Sequence, residues 1–300
     1  MAETKHRTSR PLGLGVGLVL TGLVAALVLG ALWYPPITGR GVSPVERADQ
    51  SAERSADALF REVYGDAATL DYIGKLRRTF PAAATDLEER VRRAVGRGAD
   101  SEELGLIVLQ AGARDIASSA DRLARADTRH IDALFALVSN ELEALKVSGA
   151  PYCIGSDLVR FAGLSEQQLY RAIFERARHG EALYDFVLAA NGIMLDAIQD
   201  ARQAPVLRSQ LTAADMKTLQ TLGLDLFTNP SIVRLLTMEG RPRTAMDEVL
   251  AETDFCALAT TILNRIDQLP VGTKGRLWSE TMLQLESGRW RYTLYRLTGY

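Results

Sequence analysis

Two cysteines, Cys153 and Cys256, are the only thiols in the 300-residue chain. In an oxidising compartment they can pair. The bridge would close a loop of about 100 residues, worth about 4–5 kcal/mol in the chain-entropy account, and would tie the segment after Pro151 to the helical stretch holding Leu258. The competing chemistry is a thiolate nucleophile, which needs a histidine base beside it. The chain has three histidines. His6 lies in a basic N-terminal tail, His130 follows Arg129 at the start of a well-patterned helix, and His179 sits in Arg178-His179-Gly180-Glu181 at an expected helix break. A surface or capping role suits His179 better than that of a base. No H-x-x-x-H, C-x-x-C or Asp/Asn-rich loop occurs, so neither a zinc nor a calcium site is expected. No cofactor is expected either.

Carboxylates offer the other route to catalysis. Asp185, Asp196 and Asp200 lie among apolar positions of one helical stretch, with Glu175 and Glu181 nearby. Glycoside cleavage uses two carboxylates at a fixed separation, one of them kept protonated. Against this, acids on a helix normally form its wet face. Gly272-Thr273-Lys274-Gly275 lacks the leading glycine and strand of a phosphate loop and reads as a turn. No nucleophile elbow, S-x-x-K or dinucleotide fingerprint is present.

The C-terminal stretch gathers aromatics beside arginines: Trp278, Trp290, Tyr292, Tyr295 and Tyr300 with Arg289, Arg291 and Arg296. Such pairs are enriched where proteins meet partners. Arg289, Trp290, Arg291, Tyr292 and Tyr295 are therefore the interaction candidates, against the plainer reading of aromatics packed on a core. Period-two alternation around Ser287-Gly288 predicts a short β-hairpin over 282–297.

At the other end, Leu12 to Tyr34 is a run of 23 residues without a charge. A bilayer core about 30 Å thick needs about 20 apolar residues in a helix, so the run can span. Lys5, Arg7 and Arg10 precede it, and Arg40 stands alone after it until Glu46 and Arg47. The positive-inside rule then puts the N-terminus in the cytoplasm and the body outside. A cleaved signal peptide has a shorter apolar core and a small-residue cleavage site, and this run ends in Leu-Trp-Tyr-Pro-Pro. Gly13, Gly17, Gly22, Ala26 and Gly30 recur at the spacing that lets two helices approach closely in lipid, which allows a homodimer.

These readings divide the chain into a cytoplasmic basic tail (1–11), a transmembrane helix (12–34), a Pro/Gly linker (35–43) and an exported domain (44–300), with a sub-boundary conceivable at 148–155. The domain should be mainly α. Ser43-Pro44-Val45-Glu46 starts a helix, with Ala52, Ala56, Leu59, Phe60 and Val63 as its apolar stripe. Thr85 to Glu88 opens another, with Leu87, Val91, Ala94 and Val95 on one face. Asp100 with Glu103 caps a third. Ile131, Leu134, Phe135, Val138, Leu142 and Leu145 repeat at three and four after Thr128. Ser165 with Gln168 opens a long stretch. Leu183, Phe186, Val187, Ala190, Met194 and Ile198 stripe its second part, Asn191-Gly192 weakens it locally, and Pro205 ends it. Thr212 with Asp215, Asn229 with Pro230 and Thr244 with Asp247 mark further starts. Leu258, Ile262, Ile266 and Leu269 line the last helix before Pro270.

Formal net charge is −2 and hydrophobic residues make up 47%. That balance excludes a nucleic-acid binder, which needs clustered basic charge, and excludes a disordered body. Arginine far outnumbers lysine, as in proteins from GC-rich bacterial genomes. The expectation is a single-pass protein of the bacterial inner membrane, with the lipid bilayer and an envelope protein as partners. It is expected to act as a binding or scaffolding module and not as an enzyme. The alternative is an envelope-facing hydrolase with a carboxylate pair. A sensor input domain is a third reading, but a tail of about ten residues leaves no room for an output domain.

Overall fold

A computed structural model describes residues 50–148, 153, 178–237 and 242–286. The tail, the apolar run 12–34 with its glycines Gly13, Gly17, Gly22, Gly30 and Ala26, the linker, most of 148–155, and 287–300 with the interaction candidates lie outside them. Among the described residues the protein is mainly helical and has no strand.

The chain begins with α1 (Gln50–Val63), α2 (Ala67–Thr79) and α3 (Pro81–Gly96). Next come α4 (Ser101–Gln110), the short α5 (Ala113–Ala117) and α6 (Ala120–Leu123), and the long α7 (Thr128–Ser148). The central helix is α8 (Ala182–Gln203). After it follow α9 (Ala213–Leu226), α10 (Pro230–Leu236), α11 (Arg243–Ala251), α12 (Phe255–Asp267) and α13 (Val271–Glu286).

An amphipathic helix buries one stripe, whereas a helix apolar around most of its girth must be surrounded. α8 is of the second kind: Tyr184, Leu188, Ala190, Met194, Leu195, Ala197, Ile198 and Ala201 are all buried. It packs on α2 and α7 and also touches α4, α5 and α6. α12 lies along α7, and α13 along α6 and α7. One contiguous apolar core runs from Ala56 on α1 to Met282 on α13. Leu76, Leu87, Val91, Ile116, Ile131 and Leu263 are at its centre.

Side-chain caps set several helix starts by satisfying orphan amides. Asp66 accepts from the Thr69 amide at 2.7 Å, Asp100 from Glu103 at 2.8 Å and Asp254 from Ala257 at 2.9 Å. Thr212 and Asp215 form a reciprocal capping box, and Asn229 caps α10 ahead of Pro230. Three of these five caps (Asp100, Thr212 and Asn229) coincide with starts expected from sequence; Asp66 and Asp254 do not.

Other expectations are corrected. α3 opens at Pro81, four residues before Thr85, because Pro81 already has a helical φ and the Thr85 hydroxyl bonds back to its carbonyl at 3.1 Å. Val95 is 42% exposed and leaves the buried face of α3. α8 runs unbroken through Asn191-Gly192, both buried within it. α11 starts at Arg243 after Pro242, without a side-chain cap. The helix before Pro270 is not the last, because α13 follows it. Gly272 to Gly275 is the first turn of α13 and not an isolated turn. Met282 to Glu286 is helical too, so the expected hairpin has no first strand there. Leu277, Trp278, Thr281 and Met282 repeat at helical spacing, and Leu277, Thr281 and Met282 are buried. The rest of that hairpin, 287–297, lies outside the described residues.

Candidate functional site

The cysteines expected to pair do so. Cys153 and Cys256 are joined, with Cα atoms 4.9 Å apart across a separation of 103 residues. Cys256 stands in the first turn of α12, whose amides Asp254 caps, and its carbonyl accepts the Thr260 hydroxyl at 2.8 Å. Both cysteines are buried, Cys153 at 7% and Cys256 at 4% exposure.

His179 is held in a polar cluster at the start of α2. Its Nε2 lies 2.8 Å from Asp66 Oδ2, while Asp66 Oδ1 caps α2. The ring is flanked by Tyr64, with centroids 5.8 Å apart, and by Tyr184, edge-on at 5.2 Å. Tyr64 donates to the Leu104 carbonyl at 3.0 Å, and the hydroxyls of Tyr184 and Thr69 share a hydrogen bond of 3.0 Å. Tyr72, beneath them, donates to the Ala111 carbonyl. Gly105 of α4 makes room for the His179 backbone, because a Cβ there would stand 2.9 Å from His179 Cβ and 3.4 Å from its nitrogen.

Burial pushes Asp66 up, but hydrogen bonds from Thr69 and His179 outweigh it and hold the carboxyl below its usual value. Burial pushes the phenols of Tyr64, Tyr72 and Tyr184 well above theirs, so all three stay neutral. The imidazole is thus fixed by a carboxylate and two neutral phenols whose hydroxyls are already committed. That arrangement orients a ring and joins the start of α8 to the start of α2. The residue placed at a helix break by sequence serves a cap at second hand.

The carboxylates expected to converge are spread along α8. Asp185 and Asp196 stand about 16 Å apart along the axis at 1.5 Å per residue, beyond the separations of glycosidase pairs, about 5–9.5 Å. Asp196 and Asp200 are one turn apart, about 6 Å, but each faces cations. Asp196 pairs with Lys75 at 2.9 Å. Asp200 takes Arg129 at 2.7 Å on one oxygen and His130 at 3.2 Å on the other. A general acid keeps its proton in an apolar setting, which is the reverse of these surroundings. Glu181 precedes α8 as an exposed N-cap without a side-chain cap bond.

Two further charged groups have partners that their sequence positions do not show. Asp215, beyond its place in the capping box, accepts Arg276 Nε and a terminal nitrogen, each at 2.7 Å, and the Thr273 hydroxyl at 2.6 Å. The Arg276 guanidinium, then Thr212 and Thr273, hold its carboxyl far below the usual range. Lys274 is buried between Asp132 at 2.5 Å and Asp267 at 2.8 Å. Burial pulls this ammonium down, but the two carboxylates outweigh it. Both partnerships cross between helices, so no local motif announces them.

Among the described residues no group of three His, Cys, Asp or Glu side chains is arranged to hold a metal ion, and no helix is long and apolar enough to cross a membrane. No protein-family model matches this sequence, and no curated protein or solved structure matches it either.

Proposed function

We propose that the chain is a single-pass, membrane-anchored protein of the bacterial envelope whose helical domain stands outside the cytoplasm as a binding or scaffolding module. The observation that carries the reading is the Cys153–Cys256 bond, because such bonds persist in oxidising compartments and are rare in the cytosol. It agrees with the charge asymmetry around the uncharged run 12–34, which orients an anchor with its short tail inside. Many of the described acidic and basic groups, Asp66, Asp100, Asp215, Asp254 and Lys274 among them, are engaged in caps and inter-helix pairs, as in a domain whose polar groups serve its architecture. The anchor's close-packing face would be Gly13, Gly17, Gly22, Ala26 and Gly30. Partner contact is assigned to Arg289, Trp290, Arg291, Tyr292 and Tyr295.

The test combines topology with capture. An alkaline phosphatase fusion after residue 286 should be active outside the cytoplasm, and the protein should stay with membranes through carbonate extraction. In-membrane photo-crosslinking should then recover a reproducible set of envelope proteins. A phosphatase fusion silent outside the cytoplasm would overturn the placement. The double substitution Trp290→Ala with Arg291→Ala should cut that recovery at least about tenfold, the loss of one hot-spot pair, with an unchanged melting temperature. Full recovery with a lowered melting temperature would assign those side chains to the fold.

A further inference from the structure

We infer that the Cys153–Cys256 bond is a permanent staple, set once by a protein dithiol oxidant before the helices close over it, and not a reversible redox switch. The inference rests on the exported placement proposed above. Its ground is where the bond lies. Thiol–disulfide exchange needs a thiolate to attack a sulfur, so its rate is governed by access. Cys153 is 7% exposed and Cys256 4%. Cys256 cannot swing out alone, because it occupies a capped first turn whose helix continues into the core through Leu258, Ile262, Leu263 and Ile266. α12 in turn lies along α7. Exposing the Cys256 sulfur therefore means lifting the start of α12 off the protein.

The same barrier acts in the forward direction, since formation and reduction pass through the same transition state. The oxidant must reach the thiols while α12 is undocked. The loop it closes contains α8, the helix around which the core is built. In the forward step the Cys256 thiolate attacks one sulfur of the oxidant's disulfide, breaking that S–S bond and releasing one oxidant thiolate. The Cys153 thiolate then attacks Cys256 Sγ, releasing the second. Two protons and two electrons pass to the oxidant, which leaves as a dithiol. The partner this requires is a protein disulfide donor that binds extended chain around a cysteine.

The test reads reduction by dithiothreitol, followed by alkylation with a maleimide polymer and gel shift, on the full chain in detergent. Native protein should be reduced at least about 100-fold more slowly than protein in concentrated urea, because attack waits on an opening reaction. Adding urea below the unfolding midpoint should speed it in step with that opening. Equal rates in native and unfolded protein would overturn the inference. In cells depleted of envelope dithiol oxidase activity, newly made chain should accumulate with both thiols alkylatable. Full oxidation in those cells would overturn the partner. If ordinary cells also hold both thiols free, while the purified oxidised protein still resists reduction, the exported placement fails and the closed geometry stands.

Discussion

The proton of the Asp215 carboxyl bears directly on stability. Its carboxyl has a lower proton affinity in the fold than in the unfolded chain, because Arg276 and the Thr212 and Thr273 hydroxyls bond the ionised form. The contribution is therefore complete above about pH 4, where unfolded aspartates are ionised, and drains away as pH falls below it. Asp215→Asn should lower the urea midpoint at neutral pH and flatten its decline between about pH 5 and 3. An acid limb identical to that of the parent would refute the assignment. Asn191 is the opposite case. It is 1% exposed on α8, and among the described residues its side-chain amide nitrogen has no hydrogen-bond partner. A buried unpaired donor costs about 1–3 kcal/mol. Asn191→Leu should therefore raise stability by about 1 kcal/mol, read as a shifted urea midpoint at constant slope. From sequence this asparagine reads only as a local weakening of the helix, because its burial has no local signature.

Helices were legible where the start signal and the apolar spacing are both local. Asp100, Thr212 and Asn229 cap as their motifs imply. Removing one cap, Thr212→Ala, should cost about 1 kcal/mol, more if Asp215 loses its Thr212 bonds as well. Circular dichroism during urea unfolding would check it. Boundaries failed where distant partners decide. Gly272 to Gly275 has the composition of a turn, yet Thr273 reaches Asp215, Lys274 reaches Asp132 and Asp267, and Gly275 leaves space for Arg208, whose Nε would stand 2.6 Å from an added Cβ. Tertiary partners override local propensity here. Gly112 shows the same at a junction. Its φ of +73° precedes α5, and a Cβ there would lie 2.5 Å from Leu76 Cδ1 and 3.2 Å from the Tyr72 hydroxyl. Gly112→Ala combines backbone strain with overpacking and should cost about 2–4 kcal/mol. Full stability in that variant would show that the α4–α5 corner can yield.

Across the whole molecule, the class of fold and the cysteine pairing were readable, but the arrangement of helices around α8 was not. Periodicity tells which face of a helix is buried and nothing about what covers it. Thr79, Tyr184 and Leu195 find partners 115 and 116 residues away. The cluster around His179 escaped for that reason, since Tyr64 and Asp66 are more than 110 residues distant from it and carry no motif. At this scale the bridge matters most: Cys153→Ser with Cys256→Ser should lower stability by about 2–5 kcal/mol. Equal urea midpoints for the parent and the double variant would mean the core alone supports the fold.

The five lysines of the sequence give this architecture a practical consequence. Lys274 is locked between two carboxylates at 6% side-chain exposure, and Lys75 between Asp71 and Asp196 at 20%. Lys146 on α7 and Lys217 on α9 are the exposed ones among the described residues. Amine-reactive labelling of the folded domain should therefore mark two positions strongly. Reactivity at Lys274 becomes a reporter of the α7–α12–α13 junction, appearing only when that junction opens.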